Sequence, residues 1–160
     1  MIRARLQRGL IDGTMRMRSL YDDERIKMTA PQACYYCGGT DRLCVDHLIP
    51  KMRGGPDASD NLIWSCRGCN SSKGSQDLIE WMTAKNRFPP ILLLRRYVKI
   101  VTRYCEEQGY LDAELSRLND DEPGMPFDVR LLPTRFPPLD ELTLWVHPSE
   151  AGRSGRDCRL

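Results

Sequence analysis

The apolar positions change period along the chain. Ile91, Leu94, Val98, Val101 and Cys105 recur at steps of three and four, which predicts an amphipathic helix over 91–107, with Pro89-Pro90 before it and Gly109 at its C-terminal cap. Leu43-Cys44-Val45-Asp46-His47-Leu48-Ile49 predicts a strand that stops at Pro50, and Leu62-Ile63-Trp64-Ser65 a second. Gly54-Gly55-Pro56 and two aspartates mark 51–60 as the loop between them. Leu78, Ile79 and Met82 share one face of a helix predicted from Gln76 to Met82. Short helices are expected around Leu6, Leu10 and Ile11, over 19–29 with Ser19 as cap and Asp22, Asp23 and Glu24 in its first turn, and over 110–118. From Asn119 onward prolines and acids cluster. Phe127, Leu131, Leu132, Phe136, Leu139, Leu142, Leu144 and Trp145 still supply apolar anchors, so 119–147 reads as extended chain laid on a surface or on a partner, and 148–160 as disordered. The expected class is α+β in four segments: an N-terminal arm (1–30), a small strand–loop–strand–helix core (31–88), a helical extension (89–118) and a proline-rich, acidic tail (119–160).

The 160 residues suffice for one modest domain with an extension. No apolar run approaches the length of a membrane span, and the Arg-rich N-terminus is not followed by the apolar stretch of a secretory signal, so a cytoplasmic location is expected. The net charge of +2 conceals an asymmetry. Residues 1–100 carry 17 Lys/Arg against 10 Asp/Glu, and residues 101–160 carry 7 against 12. A basic segment suits a nucleic-acid partner, although surfaces also vary in charge for no such reason, and charge by itself favours the plainer view.

Seven cysteines in a reducing compartment point to metal or unpaired thiols rather than disulfides. Cys34-Tyr-Tyr-Cys37 and Cys66-Arg-Gly-Cys69 form two CxxC pairs with 28 residues between them. One such pair could be a redox couple. Two brought together supply the four soft ligands that Zn²⁺ takes in a closed structural site. That site can supply about 10–16 kcal/mol of apparent folding free energy, which a core of about 50 residues needs. Cys44 and Cys105 are expected to pack as small apolar groups, and Cys158 to be an exposed thiol.

Between the knuckles lie Asp46-His47-Leu48-Ile49-Pro50, Gly54-Gly55 and Asp60-Asn61-Leu62; after them comes Asn70-Ser71-Ser72-Lys73-Gly74. This ordered string, about a quarter of the chain, resembles the four-cysteine branch of the HNH endonuclease family, in its His-Asn-Asn variant. The resemblance implies a ββα-metal fold for 31–88 and metal-dependent hydrolysis of phosphodiester bonds, in DNA, by nicking or cutting. It implies His47 as general base, for which an imidazole titrating near pH ~6.5 is suited. It implies Asp46 and Asn70 as oxygen ligands of Mg²⁺ or Mn²⁺. Asn61 would tie the loop down and orient His47, and Lys73, three residues after Asn70, would meet phosphate. Lys51, Arg53 and Arg67 are further candidates for backbone-phosphate contacts.

Adjacent residues of a regular strand point to opposite faces, so service of one metal by Asp46 and His47 predicts an irregular strand end. Tyr35, Tyr36, Trp64 and Trp81 are expected in the core rather than against bases, and His147 is expected to be incidental. A non-catalytic zinc-knuckle nucleic-acid binder would account for the cysteines and the basic charge, but not for Asp46, His47, Asn61 and Asn70 occurring together. The helix at 91–107 and the tail would either cover the small core or dock the protein on a second copy or in a larger phage, mobile-element or defence complex.

Overall fold

The computed structural model describes residues 21–114, 118 and 124–146. The expected helix near Leu6–Ile11, the Ser19 cap, His147, Cys158 and the segment 148–160 lie outside the described residues. Helix α1 spans Tyr21–Thr29, strand β1 Leu43–His47, strand β2 Leu62–Cys66, helix α2 Arg67–Lys73, helix α3 Leu78–Ala84 and helix α4 Ile91–Gln108. Single 3₁₀ turns occupy Lys51–Arg53, Ser59–Asn61 and Val129–Leu131. This is an α+β arrangement around a two-stranded antiparallel sheet.

The register pairs Leu43 with Cys66 and His47 with Leu62, which sets the second knuckle beside the start of β1 and leaves the loop at the other end. Pro50 ends the strand because it has no N–H to give to a ladder. The loop then closes tightly: Gly54 sits at φ 90°, and a Cβ on Gly55 would stand 2.0 Å from the carbonyl oxygen of Ile49. Only glycine fits there.

The sequence predicts one helix from Gln76 to Met82; the structure has two. Helix α2 begins directly on the second knuckle, where the Cys66 sulfur accepts from the Cys69 N–H at its N-cap. Gly74 breaks it at φ 53°, ψ −128°, and Asp77 caps α3 by accepting from the Ile79 N–H.

Helix α4 matches its predicted span to within a residue and ends on Gly109 in the left-handed region. Its inward face differs from the predicted one. Leu93, Leu94, Tyr97, Ile100, Val101 and Cys105 are buried, while Ile91 and Val98 are only half-buried. Arg96 and Lys99 turn inward with them. The region expected to be helical over 110–118 is a turn over residues 111–113, with only residue 118 of the remainder described as helical. A single apolar cluster runs from Cys34 and Tyr36 through Ile63 and Trp81 into α4, and on to Phe127 and Val129. That part of the tail is cover for the core. The tail also supplies the carbonyls of Thr143 and Leu144 to the N–H groups of Ile91 and Leu92, at a helix start where Pro90 offers no side-chain cap.

Candidate functional site

Four sulfurs converge at one end of the hairpin. The Sγ atoms of Cys34, Cys37, Cys66 and Cys69 all lie within 4.8 Å of one another, and Cys37 and Cys66 are 3.8 Å apart. A tetrahedron of sulfurs around zinc, with bonds of about 2.3 Å, has edges of about 3.8 Å. The first knuckle is held by the Gly38 N–H on the Cys34 carbonyl and the Cys34 N–H on the Gly39 carbonyl; the Gly39 N–H reaches the Cys37 sulfur at 3.4 Å. Hydrogen bonds from Cys37 and Cys69 pull the Cys34 thiol down to about 2. The same contacts push Cys37 and Cys69 well above the usual thiol range. Thiols so crowded cannot ionise together unless a cation sits among them, and the donor set fits Zn²⁺. Among the described residues this is the one group of three or more Cys, His, Asp or Glu side chains placed to hold a metal.

The other residues lie along β1 and the loop after it. Asp46 is buried, with the Tyr36 hydroxyl donating to its Oδ2 at 2.7 Å and the Lys73 ammonium 3.3 Å from the same oxygen. Among the described residues Oδ1 takes no hydrogen bond. Asn70 reaches the same face of β1, its Nδ2 donating to the Cys44 sulfur at 3.3 Å. Cys44 in turn donates to the Ser65 carbonyl at 3.3 Å, so it is a hydrogen-bonded thiol and not the plain apolar filler expected. Cys105 does pack as an apolar group, and burial pushes its thiol up.

His47 stands on the opposite face. Its Nε2 is 2.8 Å from Asp57 Oδ1, and Lys51 Nζ donates to the other oxygen of Asp57 at 2.9 Å. Lys51 first, and His47 with it, hold the Asp57 carboxyl below the usual carboxylate range. The His47 side chain is 23% exposed. The irregular strand end expected at Asp46–His47 is absent: β1 stays in register through His47, and Leu48 N–H continues to the Asn61 carbonyl. The ladder bond at Leu48 leaves no room for a bulge.

Asn61 is fully buried and fastens the loop. Its Oδ1 accepts from Ile49 N–H at 2.8 Å, and its Nδ2 donates to the carbonyls of Ile49 and Pro56 at 2.9 and 2.8 Å. Lys73, expected on phosphate, is 0% exposed. Its ammonium donates to the His47 carbonyl at 2.9 Å and faces Asp46, because α2 packs flat against the hairpin and turns this side chain inward. Burial lowers its pKa, opposed by Asp46. Lys51 and Arg67 are exposed and Arg53 is half-buried. Arg53 lies 3.6 Å from Glu80.

Of the four aromatic residues expected in the core, Tyr36 and Trp81 are buried and Tyr35 is half-buried against it, while Trp64 is half-buried outside the core cluster, paired with Val45 across the sheet. Tyr36 packs edge-on to Trp81 at 5.0 Å, and Tyr35 to Trp145 at 4.9 Å. Two site residues escape a motif reading. Asp57 looks like an ordinary loop acid, and only its closeness to the glycine turn could have marked it. The Tyr36 hydroxyl lies between the knuckle cysteines, with no spacing rule that ties it to Asp46.

Comparison of the chain with curated proteins and with solved structures gave no match. The family model described as HNH endonuclease matches residues 34–76, from the first knuckle cysteine to just past the end of α2, and this segment is an HNH endonuclease-family domain.

Proposed function

We propose that the protein is a metal-dependent endonuclease that hydrolyses phosphodiester bonds in DNA, with His47 as general base. The observation that carries this reading is the Asp57–His47 contact. An ionised carboxylate only accepts hydrogen bonds, so Nε2 is the donor, and in the neutral form of the ring that a general base requires Nδ1 holds the lone pair. Nδ1 takes the proton of a water whose oxygen attacks phosphorus; the P–O bond to the leaving oxygen breaks, and that oxygen gains a proton from solvent.

Asp46 Oδ1 and the Asn70 amide oxygen are the hard donors that would hold Mg²⁺ or Mn²⁺, which when bound offsets charge on the phosphate. Tyr36 and Lys73 position Asp46 through its other oxygen. Because Asp46 and His47 leave β1 on opposite faces, a phosphate that meets both lies across the strand end at His47–Leu48. Lys51, Arg53 and Arg67 would contribute salt-sensitive contacts along the backbone.

The test is nicking of supercoiled plasmid with Mg²⁺ or Mn²⁺ and an EDTA control. His47→Ala should lower the rate by about 10²–10⁴ with zinc content unchanged. Equal rates for wild type and variant would remove His47 from the chemistry. Binding to DNA without any cleavage would favour a non-catalytic zinc-knuckle module. The exposed Phe136, Leu139 and Leu144 are the surface that assembly through the tail would use, which light scattering reads directly.

A further inference from the structure

Met52 is 89% exposed, near the start of the loop that carries Asp57. Single exposed apolar side chains are common and need no explanation; Met28 on α1 is exposed at 82%. Met52 differs from it in placement, in the loop beside His47 and Asp57. It is the middle residue of the 3₁₀ turn Lys51–Arg53, closed by Gly54 N–H on the Lys51 carbonyl and by Arg53 and Gly55 N–H groups on the Pro50 carbonyl. Asn61 anchors the base of the same loop through Pro56. Backbone bonds at this many points fix where the loop carries Met52, and its side chain stands out into solvent.

Cations flank it on both sides. Lys51 meets Asp57, which meets His47, and Arg53 lies near Glu80. Exposed ion pairs of this kind contribute little and are exchanged readily for phosphate. Val45, half-exposed, shares the His47 face of β1. Apolar tips between phosphate-binding cations are what proteins insert between base steps of duplex DNA, which unstacks the step and bends the helix.

We infer that Met52 is a wedge that enters a base step of duplex DNA and sets the scissile phosphate against His47. The inference rests on the nucleic-acid reading above, but its test does not need cleavage. The probe is a 20-base-pair DNA duplex carrying 2-aminopurine at successive positions, titrated with the full chain in its zinc-bound form, in EDTA-free buffer without Mg²⁺ or Mn²⁺. Wild type and His47→Ala should both raise 2-aminopurine emission severalfold at one or two adjacent positions. Met52→Ala should abolish that rise and weaken binding about tenfold, and Met52→Leu should restore both. Circular dichroism checks that each variant is folded.

An unchanged emission on a duplex that wild type binds, an equal rise with Met52→Ala, or the same response from a duplex RNA of the same sequence would overturn the wedge and leave the nuclease reading standing. Lack of binding to any duplex would overturn both. Unstacking by a protein that never nicks plasmid would keep the wedge and remove the enzyme.

Discussion

The guanidinium of Arg96 donates to the backbone carbonyl of Asp60 at 3.1 Å, across 36 residues of sequence. The same nitrogen reaches the carbonyl of Leu62 at 3.4 Å, Arg103 pairs with the Asp60 carboxylate, and the Lys27 ammonium donates to the carbonyls of Ser59 and Leu62. Three cations from α1 and α4 therefore grip the turn that carries Asn61. Arg96 is 2% exposed, so its loss leaves the buried Asp60 carbonyl without a donor, while Leu62 keeps Lys27. Arg96→Met, which keeps the apolar stem, should destabilise the fold by about 2–3 kcal/mol. Urea unfolding checks this, and an unchanged midpoint would show that the grip contributes nothing.

Zinc is expected at one ion per chain by elemental analysis. Its apparent contribution, about 10–16 kcal/mol, matches or exceeds the whole stability of an ordinary domain, about 5–15 kcal/mol. A strong chelator or Cys69→Ser should therefore unfold the hairpin and α2 together, read as loss of far-ultraviolet circular dichroism. Retention of native spectra in a zinc-depleted sample would count against the site.

Tyr97 donates its hydroxyl proton to Asp77 inside the core. Burial first, and the Asp77 charge second, push its pKa far above the ordinary value. A folded value above the unfolded one means that the contribution is complete below about pH 10 and declines as pH rises beyond it. Stability should fall above about pH 10, and Tyr97→Phe should flatten that slope by about 1.4 kcal/mol per pH unit. The same substitution should cost about 1–3 kcal/mol at pH 7, since Asp77 loses a buried donor. Parallel slopes for the two proteins between pH 10 and 11 would refute the assignment.

Asp57→Asn tests whether the carboxylate orients His47. The amide can present either an acceptor or a donor to Nε2, so the ring loses its fixed tautomer. Nicking should drop by about 10² through misplacement of the base, with KM, zinc content and melting temperature little changed. A rate equal to wild type would make the contact incidental.

Period and punctuation made most of the fold legible. Both strands, α4 and its glycine cap, and the four cysteines follow from spacing. The division into α2 and α3 does not, because the polar run that Gly74 ends carries no apolar period to set its bounds. The buried face of α4 was misplaced because periodicity ranks Arg96 and Lys99 as outward. They face inward since the Asp60 carbonyl and the Asp23 carboxylate wait for them, and partners 36 and 76 residues away leave no local trace. The string of site residues was visible as a pattern, but its geometry was not. Nothing in the spacing says that Lys73 turns inward or that Asp57 reaches His47.

The start of α4 is completed by Thr143 and Leu144, whose carbonyls receive the N–H groups of Ile91 and Leu92. During synthesis α4 emerges about fifty residues before its own cap does. The first turn of that helix is thus satisfied only once residues 143–144 have been made, and Arg96, which braces the Asn61 turn, lies on the same helix. The order of synthesis therefore separates the making of the loop residues from the completion of the helix that holds them.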